Sequence, residues 1–111
     1  MPFVYVPFII LAEMWGPNMS HAVVINVNLP GEGTPEEGLS MLNELVVPQA
    51  RAQEGFQSGT WMNDHGKGLG VVLFDTEEHA NAAQNNLRPP VGTATTFVSS
   101  SVYEVDARAQ A

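Results

Sequence analysis

Apolar residues recur at two different periods along the chain, and the period indicates the type of each element. His21–Leu29 carries apolar side chains at every second position and is rich in β-branched residues, which predicts a strand. The same features predict strands over Phe56–Met62, Leu69–Phe74 and Thr95–Asp106. Asn63–Gly68 is rich in turn-forming residues, so the second and third strands are expected to form a hairpin.

A helix is predicted between the first and second strands. Thr34 suits the N-cap, Pro35 suits the first helical position, and Glu37 completes a capping box. The positions expected to face inward at helical spacing are Leu39, Leu42, Leu45 and Val46. Pro48 is expected to kink or restart this helix, because proline lacks the backbone N–H that a helix interior needs.

A second helix is predicted between the third and fourth strands. Asp75 and Thr76 compete as its N-cap, and it is expected to run to about Leu87. Its inward-facing positions include Ala80 and Ala83, whose small side chains predict close packing against a sheet.

This order of elements, β-α-β-β-α-β, predicts an α+β protein with a ferredoxin-like sandwich. Right-handed crossovers then give an antiparallel sheet with the strand order 4-1-3-2. We expect a single domain over residues 19–111. The preceding segment, residues 1–18, is interpreted as an N-terminal apolar arm or leader, because its apolar run is too short to span a membrane and no basic residue precedes it.

Both faces of the predicted sheet carry apolar residues. Val71 and Val72 point to opposite faces of the third strand, and strict alternation in the fourth puts Phe97 with Tyr103, opposite Val102. Two helices cover one face only, and leaving the other in water costs about 25 cal/mol per Å² of apolar surface. We therefore expect a homodimer through the sheet face; the N-terminal arm is the rival cover.

Composition excludes several classes of function. Among the 111 residues, 12 are acidic and 4 are Lys or Arg, and the net charge of -8 argues against nucleic acid and anionic membrane as partners. The chain contains no cysteine, so thiol catalysis and cysteine-based metal sites are excluded and a cytoplasmic location is expected. The 3 histidines lie in different elements without metal-ligand spacing, so no metal site is expected.

Three stretches together resemble a known family. They are the first strand over residues 22–27, the junction from Val46 to Pro48 that continues through Gly55 and Phe56 into Trp61, and the stretch over residues 68–80. Over about residues 20–106 the chain resembles the dimeric α/β-barrel superfamily, and within it the proteins related to antibiotic-biosynthesis monooxygenases. The resemblance implies a dimeric α/β barrel with a pocket between the sheet and the helices of each subunit.

The same resemblance implies a cofactor-independent monooxygenase that acts on a small aromatic substrate. Asn26 lies where haem-degrading members place a functional Asn, but the second helix lacks the Trp that those members need, so haem degradation is disfavoured. The candidate catalytic residues are Asn26, Trp61 and Tyr103, and the candidate ligand-binding residues are Asn28 and His79. The alternative is a non-catalytic dimeric module that binds a small hydrophobic ligand or a protein partner.

Overall fold

The structure, a computed structural model, describes residues 20–29, 35–90 and 94–109. It contains one four-stranded antiparallel sheet with the order β2-β3-β1-β4, which is the order 4-1-3-2 read from the opposite edge. The strands are β1 (His21–Asn28), β2 (Phe56–Asp64), β3 (Lys67–Phe74) and β4 (Thr96–Glu104). This α+β architecture is compatible with the ferredoxin-like prediction, whereas the predicted arm over residues 1–18 lies outside the described residues.

The first helical stretch has three parts: α1 (Pro35–Met41), a π-helical segment (Leu42–Val46) and α2 (Val47–Arg51). In the π segment the Val47 N–H bonds to the Leu42 carbonyl five residues earlier. Pro48 is the second residue of α2 and follows the π segment closely, so the helix changes its hydrogen-bonding pattern next to the proline, where an N–H is missing. The backbone stays helical at Val46 and Val47, so the stretch continues through this change. The predicted cap Thr34 lies outside the described residues.

The predicted stripe of this stretch is half-buried at Leu42 and Val46 but exposed at Leu39, at 59%, and at Leu45, at 50%. Leu39 still faces the space between this stretch and the sheet, so the predicted direction is wrong at Leu45 alone of the four. The π segment widens the turn, so a stripe counted at 3.6 residues per turn does not stay on one side. Within this stretch it is α2 whose backbone closely approaches a strand, β2.

The second helix, α3 (Glu77–Gln84), follows the prediction closely. Thr76 is its N-cap and accepts a hydrogen bond from the His79 N–H at 3.1 Å. Ala80 and Ala83 are buried against the sheet, and Leu87 is buried just beyond the helix end, as predicted.

The core lies on the face of the sheet that carries the helices. Its buried members are Val23, Ile25, Ala50, Val72, Phe74, Ala80, Ala83 and Leu87. A bulge in β4 pairs Asn26 with Ser99 but Val27 with Phe97, so alternation reverses there. Phe97 therefore packs on the core together with Val102, and the prediction that it shares a face with Tyr103 is wrong.

Candidate functional site

A cleft of about 710 Å³ separates the first helical stretch from the sheet. It exists because α1 and the π segment stand away from the strands, while α2 anchors the stretch on β2. Its apolar walls come from both sides and include Ile25, Val27, Leu42, Val46, Trp61 and Val72. Clefts of this volume and lining are typical of sites for small organic molecules.

Trp61 lies on the floor of the cleft, on β2. Its indole extends over two glycines, since a Cβ on Gly70 would approach Nε1 to 3.0 Å and a Cβ on Gly59 would approach Cη2 to 2.6 Å. Either added methyl group would displace the ring. The two glycines therefore let the half-buried indole lie close to the sheet while it lines the cleft.

The β4 side of the cleft is polar. Arg88 is half-buried there, and its guanidinium carbon lies 3.9 Å from the centroid of the Phe97 ring. Thr95 also lines the cleft, and its Oγ1 is buried with no hydrogen-bond partner in the part of the chain that the structure describes. Gln49 Nε2 donates to the carbonyl of Asn86 at 2.6 Å, which joins α2 to the turn that leads into Arg88.

Three predicted site residues lie on the other face of the sheet, which we call the open face. Asn26 and Asn28 are exposed there on β1, and Tyr103 is 54% exposed on β4. Asn26 Nδ2 donates to Ser99 Oγ at 3.3 Å, so part of its hydrogen-bonding capacity is used within the sheet. Because the sheet separates the two faces, none of these side chains shares a site with Trp61 within one chain.

His79 belongs to neither face and instead joins two loops. Its Nδ1 lies 2.6 Å from Asp75 Oδ1, and its Nε2 lies 3.5 Å from Glu54 Oε2. The hydrogen bond to Asp75 raises the pKa of His79 above its ordinary value, and Glu54 adds to this, whereas partial desolvation opposes it. The hydrogen bond to His79 likewise lowers the pKa of Asp75. The contacts of His79 therefore support a structural role at the start of α3.

This pair predicts a definite pH dependence of stability. The raised pKa means that the contribution of His79 is complete below its ordinary pKa of 6.5 and is lost as pH rises through the raised value. The lowered pKa of Asp75 means that its contribution is complete above 3.8 and is lost as pH falls through the lowered value. We expect the free energy of unfolding to decline from pH 6 to pH 9 in urea titrations, and to decline less in His79→Gln.

The matched control is His65→Gln, which removes a histidine of the β2–β3 turn. His65 Nδ1 also lies 2.6 Å from a carboxylate, Asp64, but the two side chains are 98% and 85% exposed. Water screens such a pair, so this variant should keep the wild-type pH dependence. If the free energy of unfolding declined equally with pH in wild type and in His79→Gln, this would contradict the contribution assigned to His79.

Sequence reasoning placed Trp61 among the site residues but missed Arg88 and Thr95. Arg88 had one signal, because it is one of only 4 basic residues and stands alone between the end of a helix and Pro89-Pro90. Thr95 had none, since a threonine at the start of a strand is ordinary. Of the five predicted residues, Trp61 lines the cleft; Asn26, Asn28, Tyr103 and His79 do not.

Within the part of the chain that the structure describes, no three His, Asp or Glu side chains are grouped so as to hold a metal ion. No helix among those residues has the length and apolar character needed to cross a bilayer. Comparison of the chain with protein-family models, with curated proteins and with solved structures finds no match.

Proposed function

We propose that this protein binds a small aromatic molecule in the cleft between its first helical stretch and its sheet. The observation that carries the proposal is a cleft of about 710 Å³ with the indole of Trp61 on its floor. Apolar walls favour the transfer of a ring from water, and an indole adds offset or edge-to-face contacts worth about 0.5–1.5 kcal/mol beyond burial. Arg88 and Thr95 supply polar groups that would orient the ligand.

The first test is a calorimetric titration of the protein with 2-naphthol, an uncharged aromatic probe. We expect saturable binding to the wild type and at least tenfold weaker binding to Trp61→Ala, which corresponds to about 1.4 kcal/mol. Trp61→Phe is the matched control, because it keeps an aromatic ring on β2, and it should retain most of the affinity. Unchanged affinity in Trp61→Ala would contradict the proposal.

Oxygenation of the bound molecule is a second candidate function, supported by the resemblance to the antibiotic-biosynthesis monooxygenases. One feature of the cleft favours it: a guanidinium beside an apolar cavity stabilises the anion of a substrate that reacts with O₂. In the balanced reaction a ring methylene and O₂ give a ring carbonyl and water. Asn26 lies on the open face, so a hydrogen bond from it to a substrate in this cleft is not part of the proposal.

An oxygen electrode separates the two candidates. If the protein is an oxygenase, the wild type should consume O₂ in the presence of an anthrone. The rate of O₂ consumption should be lower in both Trp61→Ala and Arg88→Gln. Binding of 2-naphthol without O₂ uptake over a panel of anthrones and quinols would leave the non-catalytic alternative as the function.

The proposal includes a homodimer that buries the open face. Apolar side chains on this face include half-buried Val24, Val71 and Leu73, together with Met62, which is 47% exposed, and Tyr103. Strand rise and spacing give the face roughly 500 Å² of projected area. One partner of a stable interface buries about 800 Å², so the face is of the right order. A second copy of the same sheet would cover it with a self-complementary surface.

A further inference from the structure

Arg88 carries more hydrogen-bonding capacity than the described protein uses. A guanidinium has five N–H donors. The guanidinium of Arg88 stacks with one of its faces on the Phe97 ring. Its N–H donors lie in the plane of the group, so stacking does not use them. Among the described residues, no carboxylate lies within 4.0 Å of the guanidinium nitrogens, and no side-chain or carbonyl oxygen accepts a hydrogen bond from the guanidinium. A half-buried cation with unused donors favours an anionic acceptor.

Thr95 supplies a second, independent observation at the same end of the cleft. Its Oγ1 is buried and has no hydrogen-bond partner among the described residues, which is unfavourable relative to a satisfied hydroxyl. It stands two residues before Phe97, the ring on which Arg88 stacks, and both Thr95 and Arg88 line the cleft. The half-buried guanidinium is therefore directly accessible to a ligand oxygen at this end, whereas the Thr95 hydroxyl becomes accessible when its side chain rotates toward the cleft.

The end of the cleft next to β4 carries a positive charge in a protein that is otherwise acidic. The chain has a net charge of -8 and 4 Lys and Arg residues, and of these Arg88 is the one that lines the cleft within the described residues. Glu37, an exposed residue of α1, is a lining carboxylate on the helical side. Screening limits the repulsion of an anion by distant carboxylates to about 8–10 Å, so the local cation decides which ligands bind.

We propose that the ligand is an aromatic acid, an inference that rests on the proposed function. Its ring system lies against Trp61, and its anionic oxygens accept hydrogen bonds from Arg88 and Thr95. The indole of Trp61 reaches from β2 over Gly70 of β3, whereas Arg88 stacks on Phe97 of β4. Two strand spacings, or about 10 Å, separate β3 from β4. The ligand is therefore larger than a single benzene ring.

The test compares 2-naphthoate with 2-naphthamide, its uncharged isostere, by calorimetry on the full-length protein. We expect wild type to bind the acid at least about tenfold more tightly than the amide, because hydrogen bonds to charged groups are the strong ones. Arg88→Gln should lower the affinity for the acid to that for the amide. Arg108→Gln, which removes an exposed arginine outside the cleft lining, should keep the preference.

Thr95→Val provides a readout that does not depend on the stacking of Arg88. We expect it to weaken acid binding several-fold and, in urea titrations without ligand, to raise the midpoint of unfolding, because it removes a buried hydroxyl that lacks a partner. A lower midpoint with unchanged acid binding would overturn the role of Thr95. Equal binding of acid and amide by wild type would overturn this inference while leaving the proposed function intact, whereas failure of both probes to bind would overturn both.

Discussion

Gly55→Ala is expected to lower the free energy of unfolding by about 2–4 kcal/mol. Gly55 has a φ of +83°, a left-handed conformation that side chains with a Cβ adopt at a cost. A Cβ at this position would also overlap Asp75 Oδ1 and His79 Nδ1, the two atoms of the pair that begins α3. The backbone at Gly55 is also held in place, because the Asp75 N–H donates a hydrogen bond to the Gly55 carbonyl at 3.0 Å.

The β2–β3 turn offers a matched control for this substitution. Gly66 has a φ of +89°, but a Cβ there would meet no atom within 4 Å. Gly66→Ala should therefore cost only the backbone strain, about 1–2 kcal/mol, in the same urea titration. Equal losses in the two variants would show that the contact with the Asp75–His79 pair contributes nothing.

Met62→Asp/Tyr103→Asp is expected to convert the proposed homodimer into monomers. Strand alternation places both side chains on the open face, where they are 47% and 54% exposed, so two carboxylates there should leave the fold of one chain intact. Met62 also borders the cleft at the end of β2, so 2-naphthol binding is measured on the double variant as well. In a dimer that buries the open face, the two carboxylates would be desolvated beside their symmetry mates, at several kcal/mol. Sedimentation velocity should show a dissociation constant raised by at least about 100-fold.

Leu45→Asp is the control for this pair, because Leu45 is an equally exposed leucine on the helical side of the sheet, at 50%. It should sediment like wild type. A wild-type protein that is monomeric at all concentrations would contradict the dimer. A double variant that still sediments as a dimer would contradict the burial of the open face. The first of these results would favour the N-terminal arm as the cover of the open face.

Local rules predicted those parts of the fold that local chemistry decides. Thr76 caps α3 as expected because an N-cap needs only a side-chain oxygen within reach of the third helical N–H. Ala80 and Ala83 lie against the sheet because their spacing matches an undistorted helix. The prediction failed at Leu45 because the π segment, which contains this residue, interrupts that spacing.

The candidate site was harder to predict because it depends on which face of the sheet each side chain occupies. One extra residue in β4 moved Phe97 to the core side and so placed a ring under Arg88. Asn26 and Trp61 were predicted to act together, yet they lie on opposite faces of a sheet whose pairing could not be read from either residue. Thr95 becomes notable only through an unpartnered hydroxyl, which is a property of the packed structure.

Methyl NMR during a titration with 2-naphthol tests most directly whether the cleft is the binding site. Ile25 and Val27 line the cleft on β1, while Val24 on the same strand and Val71 on β3 face the opposite side of the sheet. We predict saturable shifts of the Ile25 and Val27 methyl signals with little change at Val24 and Val71. Shifts confined to Val24 and Val71, or no saturable shift at any of the four, would contradict binding in the cleft.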